Sequence, residues 1–258
     1  MNIIKLLYLR DMRRCVNRRS ILIWCLMSFL CIFFFINSNG RHDFLENGTV
    51  QFMAVMLPQI IFGAWSSMSV NFDLISSDRE HNVLDCIITA GITKTHIFLG
   101  KLFTTMTLCL IGSIIYLIPI NIYVVCIGGN LSYMSIFFEY LFPLWCYVMV
   151  YSSWGVLISI IARSTKSSLI WCLACGLALM PRFFELFVDG LGAVFHLNEN
   201  MKSAVSLIAP AIMMSELTDT TQISKVFKMI FVFLSCITIL WIIAYLIFHK
   251  QDELNYGE

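Results

Sequence analysis

The stretch Ser76–Lys101, SSDREHNVLDCIITAGITKTHIFLGK, decides how the chain is interpreted, because it is the longest polar interruption between two apolar runs. Ser77 and Glu80 have the spacing of a capping box, and Asp78 falls in the first helical turn, where the helix dipole favours negative charge. Apolar residues recur at helical spacing on one face of this stretch: Val83, Leu84, Ile87 and Ile88. The pattern predicts a short helix over residues 77–91 that lies across one surface of a membrane.

The composition of the whole chain indicates that membrane. The chain has 258 residues, of which 59% are hydrophobic and only 13% are charged. A soluble domain averages about 25% charged residues. The apolar residues here form long blocks, and a helix that crosses a bilayer needs about 20 such residues. The sequence therefore predicts an all-α integral membrane protein rather than a soluble helical core.

Six apolar blocks divide the chain into predicted transmembrane helices, and we treat residues 1–258 as a single transmembrane domain. The predicted spans are residues 21–36, 50–75, 97–127, 133–162, 168–186 and 226–248. Residues 1–20 mix apolar side chains with arginines, which is typical of an amphipathic helix in the headgroup layer. Residues 187–222 contain only short apolar pieces and predict short helices that dip into the outer leaflet as a re-entrant region before span six.

The distribution of basic residues orients these spans. Most lysines and arginines fall in the segments that a six-span arrangement assigns to one side, which is the pattern of cytoplasmic loops. They are Lys5, Arg10, Arg13, Arg14, Arg18, Arg19, Arg79, Lys94, Lys101, Arg163, Lys166 and Lys250. The sequence therefore predicts that both termini and the 77–91 helix lie in the cytoplasm.

The motifs of enzymes and ATPases are missing from the sequence. Gly91–Thr95 resembles part of a phosphate-binding loop, but it lacks the second glycine before the lysine and follows no strand. The five histidines are scattered, and the cysteines lie mostly inside apolar blocks. We therefore expect no catalytic, cofactor-binding or metal-binding residues in this chain. If it moves a solute uphill, a partner protein or an ion gradient must supply the energy.

A resemblance to a known family adds to this interpretation. The residues that carry it are Asp78-Arg79-Glu80, Val83-Leu84-Asp85, Ile88-Thr89 and Gly100-Lys101. Together with the six predicted spans, they make the chain similar to the membrane subunit of a type-2 ABC transporter, the exporter-type permease family. Ala90-Gly91-Ile92 departs from the family pattern, which usually has a proline near this point.

The resemblance implies a function and partners. Residues 77–91 would be a coupling helix that a separate ABC ATPase subunit contacts, and ATP and Mg would be bound by that subunit. The implied coupling residues are Asp78, Arg79, Glu80, His81, Val83 and Leu84, and those of the interfacial helix are Arg10, Arg13 and Arg14. Whether Glu80 couples to the ATPase or only caps a helix stays open. The permease would form a homodimer or a heterodimer in the bacterial cytoplasmic membrane and would bind no nucleic acid.

The candidate translocation path is aromatic. It would run along the dimer interface past Phe29, Phe33, Phe62, Trp65 and Glu139. Such a lining would suit a hydrophobic or amphipathic cargo, such as a peptide or a drug-like molecule. For any single phenylalanine, a position that faces lipid or packs in the core is the more common one. Glu139 is either a functional group within a span or an interfacial residue in an aromatic belt.

Two other classes of membrane protein compete with the permease interpretation. A gradient-driven secondary carrier or channel would need no ATPase partner. An assembly or sensing protein would form a stable complex without transport. A membrane enzyme is disfavoured, because no cluster of His, Asp or Glu residues is available for chemistry.

Overall fold

The computed structural model describes residues 3–195, 198, 210–215 and 223–250, and these residues form helices without any strand. In chain order the α-helices are α1 (Ile3–Cys15), α2 (Arg18–Asn37), α3 (Asn39–Asn47), α4 (Phe52–Asn71), α5 (Ser76–Glu80), α6 (Val83–Thr89), α7 (Lys94–Gly128), α8 (Ser135–Ile161), α9 (Thr165–Ala178), α10 (Pro181–Phe195), α11 (Pro210–Ser215) and α12 (Ile223–Lys250). A short 3-10 helix, Leu131–Met134, precedes α8. The prediction of an all-helical fold is confirmed for the described ranges.

Five stretches are long and apolar enough to cross a membrane. They are Arg18–Asn37, Phe52–Glu80, Lys94–Gly128, Phe137–Ile161 and Lys225–Lys250. The helices α9 and α10 meet at an angle of 73°. Counted together as one broken span, they make a sixth. The predicted span 168–186 contains this bend. Its helix ends at Ala178, and a new one begins at Pro181, whose ring cannot continue a helix.

Polar side chains set the helix boundaries at the α1 end of the bundle. Asn17 caps α2, since its side-chain oxygen accepts a hydrogen bond from the Ser20 backbone N–H at 3.0 Å. Ser164 caps α9 in the same way, with the Ser167 N–H as the donor at 3.2 Å. Such caps satisfy backbone donors that have no partner inside the helix. They also separate α1 from α2, and α8 from α9.

The core of the bundle lies where α8 packs against α4, α7 and α12. Tyrosine hydroxyls from α7 and α8 donate to backbone carbonyls of α4. Tyr116 reaches the Val55 oxygen at 2.6 Å, and Tyr147 reaches the Gln59 oxygen at 2.7 Å. Pro58 lies between Val55 and Gln59 in the sequence and removes a backbone donor from α4. These bonds fix α4 within the bundle although its backbone ladder is interrupted.

The region between spans two and three differs from the prediction. One helix was predicted over residues 77–91, but α5 ends at Glu80 and α6 begins at Val83. Asn82 between them has a left-handed backbone with φ 56°, a conformation that asparagine tolerates better than most residues. Of the predicted re-entrant region 187–222, the structure describes residues 187–195, 198 and 210–215, and the remainder lies outside the described residues.

Candidate functional site

Helix α1 is bound to the start of α7 along one buried face. Leu7, Asp11 and Cys15 are four residues apart and are the buried residues of α1. A Cβ atom at Gly100 would lie only 3.1 Å from the Leu7 Cβ atom. Glycine at position 100 therefore lets the two helices approach closely enough for Asp11 to reach the next residue, Lys101.

A buried ion cluster joins α1, α5 and α7. Asp11 and Lys101 are each 1% exposed, and Asp78 is 2% exposed. The Lys101 Nζ atom lies 2.9 Å from the Asp11 Oδ2 atom in an ion pair whose angles are not those of a hydrogen bond. The same Nζ atom donates a short hydrogen bond to Asp78 and another to the Leu74 carbonyl at 2.8 Å. The lysine thus links a carboxylate of α1 to one of α5.

Two arginines of α1 complete this cluster. The Arg10 Nη2 atom lies 2.8 Å from Asp78 Oδ2 and 2.7 Å from Asp11 Oδ1. Arg14 pairs with Asp78 through Nη1 and donates to the Leu74 carbonyl through Nη2 at 2.8 Å. Burial is the largest single effect and lowers the pKa of Arg14, but the negative charges around it, Asp78 first, and its hydrogen bond to Asp78 together outweigh burial, so the pKa is raised. Three cations therefore share two carboxylates, and the cluster keeps one net positive charge.

Arg79, the next residue along α5, binds the end of α8. Its Nη1 atom donates to the backbone carbonyl of Ile160 at 2.8 Å and to that of Ala162 at 3.1 Å. The last carbonyl groups of a helix accept no hydrogen bond from within the helix, and they lie at the negative end of the helix dipole. A guanidinium at this position satisfies them and stabilises the end of α8.

Glu80 binds the start of α9. Its Oε2 atom accepts hydrogen bonds from the Thr165 backbone N–H, at 2.8 Å, and from the Thr165 hydroxyl. The predicted capping box of Ser77 and Glu80 is wrong, because α5 has no side-chain cap. Instead the backbone N–H groups of Ile75 and Ser76 donate to the Ser159 hydroxyl of α8, at 3.0 and 2.9 Å. Glu80 is therefore available to stabilise the positive end of α9.

Three consecutive residues of α5 thus bind four other helices. Asp78 holds α1 and α7, Arg79 holds α8, and Glu80 holds α9. We call α5 with these contacts the α5 clamp. A displacement of α5 would be passed to all four helices, so the arrangement suits mechanical transmission rather than chemistry.

Helix α6 presents the exposed surface next to the α5 clamp. Its polar residues Asp85, Cys86 and Thr89 are exposed, whereas Leu84 is buried beneath them. Ile87 and Ile88 are half-buried and pack against the core. The helix therefore lies on the bundle with its apolar side and offers its polar side to a partner.

The predicted coupling and interfacial residues divide by accessibility. Asp78 and Leu84 are buried, Arg79 and Val83 are half-buried, and Glu80 and His81 are exposed. Among the arginines predicted for the interfacial helix, Arg10 and Arg14 belong to the ion cluster, and Arg13 is exposed.

The residues of the candidate translocation path do not surround one interior space in the single chain. Phe29 is 64% exposed and Phe33 is 50% exposed on α2, and Glu139 is exposed near the start of α8. Phe62 and Trp65 are half-buried on α4. Trp65 lies against α9, since a Cβ atom at Gly176 would be 2.9 Å from the Trp65 Cα atom. The three exposed side chains face outward, toward lipid or a neighbouring protein.

Sequence reasoning did not identify Asp11 and Ser159 as parts of this site. Asp11 left a signal, because it is an acidic residue on the same face as Leu7 and Cys15 of an otherwise basic helix. The charge pattern predicts Lys101 on the cytoplasmic side, yet this residue lies two turns inside the apolar helix α7. A lysine at such a depth indicates a buried acidic partner. Ser159 left no signal in the sequence.

The fold and the site together define a multi-pass helical membrane protein whose charged residues hold helices together. Its sequence matches the family model described as ABC-2 family transporter protein over residues 16–253, and the chain belongs to this family. The predicted resemblance to type-2 ABC permeases is therefore confirmed. No curated protein matches the chain significantly.

Membership of this family assigns the general role of the chain. It is a membrane subunit of an ABC transporter and is not itself catalytic. The family implies an ABC ATPase as a partner. Helix α1 ends at Cys15, directly before the matched range, whereas the α5 clamp and Lys101 lie within it.

Proposed function

We propose that this chain is the membrane-spanning subunit of an ATP-driven exporter and that α5 and α6 receive the movement of its ATPase partner. The observation that carries the proposal is the α5 clamp, in which three consecutive residues bind four helices. ATP and Mg would be bound by the ATPase, and this chain would supply the path.

The exposed polar side of α6 is the surface on which we expect the ATPase to dock. Asp85, Cys86 and Thr89 are accessible there, whereas Asp78 is too deeply buried to meet a partner directly. Pressure on α6 would reach α5 across the short break at Asn82. Removing one partner from a buried ion pair costs about 3–5 kcal/mol, so the ion cluster would move as a unit rather than open under this load.

The permease would work as a dimer, formed by two copies of this chain or with a related chain. Phe29, Phe33 and Glu139 face outward in the single chain, which fits a path completed by a second permease. Together with Phe62 and Trp65, they would line a route for a hydrophobic or amphipathic cargo, such as a peptide or a drug-like molecule. The dimer would lie in the bacterial cytoplasmic membrane, with both termini of each chain in the cytoplasm.

Charge reversal on α6 tests the docking surface. The chain would be co-expressed with its genomic neighbours, purified in detergent, and assayed for a bound P-loop ATPase and for ATP hydrolysis. We expect Asp85→Lys to reduce the bound ATPase about tenfold, because a rim charge is turned against the partner. Glu46→Lys on α3 is the matched control, because Glu46 is exposed at the opposite end of the bundle.

The result can contradict the proposal in two ways. If Asp85→Lys and Glu46→Lys retain the ATPase equally, α6 is not the docking surface. If the wild-type chain purifies without any ATPase and transports along a gradient, the chain works as a secondary carrier or channel.

A further inference from the structure

A groove of about 420 Å³ lies on the outside of the bundle, between the end of α8 and the first turns of α9. Ile158 and Ile161 form its wall on α8, and Trp171 and Cys175 form its wall on α9. Arg163 and Ser167 lie at one end of it. The groove is thus apolar along its length and basic at its mouth.

The groove has the length of a lipid chain within one leaflet. Ser167, Trp171 and Cys175 are four residues apart and share one face of α9. At 1.5 Å per residue they span about 12 Å. The hydrocarbon of one leaflet is about 15 Å thick. An acyl chain that lies along this face of α9 would therefore be in contact with protein over most of its leaflet.

Arg163 lies at the mouth of the groove, and its guanidinium forms no ion pair within the described ranges. Arg79 binds two carbonyls just before Arg163 in the chain, those of Ile160 and Ala162, so the backbone that leads into Arg163 is fixed. The Arg163 side chain is exposed and makes no hydrogen bond or ion pair with another residue in the described ranges. An unpaired guanidinium that extends from a fixed backbone can bind a phosphate group through charge-assisted hydrogen bonds.

The neighbouring backbone donors are already occupied. The Thr165 N–H donates to Glu80, and the Ser167 N–H donates to Ser164. These two backbone N–H groups of α9 are therefore not free to bind an anion. The guanidinium of Arg163 must bind it instead. Lys166 is exposed one residue beyond Thr165 and adds to the positive potential of the mouth.

We propose that this groove binds an anionic phospholipid, with its phosphate at Arg163 and one acyl chain between Ile161 and Trp171. Charge complementarity identifies the occupant, because basic pockets between helices at the membrane surface attract anionic headgroups. A second protein chain would have to bring an acidic side chain to Arg163 and also fill the apolar groove. The site is independent of the ATPase contact on α6.

Native mass spectrometry of the purified full chain tests the proposal, with phosphatidylglycerol and phosphatidylcholine as probes. We expect phosphatidylglycerol to remain bound and phosphatidylcholine to bind about tenfold less. Arg163→Gln should reduce the phosphatidylglycerol adduct about tenfold, since it removes a charge-assisted hydrogen bond. Arg41→Gln is the matched control: Arg41 is exposed on α3, at the opposite end of the bundle, and lies outside the groove.

A second variant separates the groove from the charge. Ser167→Leu fills the groove and leaves Arg163 in place, so it should also displace the lipid. An unchanged unfolding temperature in detergent would show that either variant is folded. A diacyl phosphatidylglycerol with a photoreactive acyl chain should label the peptide that contains Trp171 and Cys175.

Three outcomes would overturn the proposal. Phosphatidylglycerol could bind Arg163→Gln as well as wild type, which would exclude a headgroup site at Arg163. Glycerol phosphate could displace the lipid at equal concentration, which would indicate a phosphate site without an acyl chain. Cysteine cross-linking in membranes could join Cys175 of two copies with no lipid bound, which would indicate that a second permease covers the groove.

Discussion

Asp78 is the residue on which the α5 clamp depends most. Its carboxylate is 2% exposed and meets Arg10, Arg14 and Lys101 at once. Burying a carboxylate is costly, and only close cations repay that cost. The dependence is mutual, because each cation would lose a carboxylate partner without Asp78. Lys101 and the two arginines would then share Asp11 alone.

The first prediction therefore concerns Asp78→Asn, which keeps the shape of the side chain and removes its charge. Three cations would face one carboxylate, and we expect the free energy of unfolding to fall by about 3 kcal/mol. Asp85→Asn is the control, because Asp85 is exposed on α6 and its loss should change stability by no more than about 0.5 kcal/mol. Unfolding of both variants in detergent provides the measurement. Equal midpoints would mean that the ion cluster does not stabilise the fold.

Helix α1 depends on the close packing that Gly100 allows. Cys15 at the end of α1 is buried, and burial raises the pKa of its thiol to about 11, although Arg14 acts in the opposite direction. A thiol with this pKa has little thiolate near neutral pH and reacts slowly with maleimides. Its reactivity is therefore a sensitive measure of whether α1 stays docked.

The second prediction is that Gly100→Leu releases α1. A leucine there would collide with Leu7, whose Cβ atom already lies 3.1 Å from where a Cβ atom at position 100 would be. We expect maleimide labelling of Cys15 at pH 7.5 to rise at least about tenfold, measured by peptide mapping, because the thiol gains exposure and its pKa falls toward the ordinary value. Gly190→Leu on α10 is the control, since a Cβ atom at Gly190 meets nothing within 4 Å. Unchanged labelling of Cys15 would show that α1 docks without this contact.

The helices of this protein were easier to predict than the contacts between them. Hydropathy located α2, α4, α7, α8 and α12, because each of them is one long apolar helix of the kind that crosses a bilayer. The contacts of Asp78 could not be read in this way. Arg10 lies 68 residues before it in sequence, and Lys101 lies 23 residues after it. The break at Asn82 was missed for a similar reason, since Glu80 is used by Thr165, a residue 85 positions away.

The contacts at the start of α7 fix the direction of the last helix in the whole molecule. Lys94 at the start of α7 donates to the His249 carbonyl at 3.5 Å, and Thr95 lies 3.3 Å from the Tyr245 hydroxyl. The end of α12 therefore lies beside the start of α7, at the same end of the bundle as α5. Helix α8 also ends there, because Arg79 binds its last carbonyls. The ends of α8 and α12 thus lie at the same end of the bundle, and we predict that the bent pair α9 and α10 makes a sixth crossing between them.

The third prediction is that Cys86 and Cys126 lie on opposite sides of the membrane, with the C-terminus on the side of Cys86. Both cysteines are exposed, and they lie at opposite ends of the bundle, on α6 and near the end of α7. A membrane-impermeant maleimide should label Cys126 in intact cells and Cys86 only in inverted vesicles.

A C-terminal epitope tag should be accessible only together with Cys86, because six crossings return the chain to the side where it started. Cys25 is exposed within the apolar part of α2, inside the predicted hydrocarbon layer, and serves as the internal control that the impermeant reagent leaves unlabelled in both preparations. A tag that is accessible together with Cys126 would mean that the bent pair does not cross and that the chain spans the membrane five times.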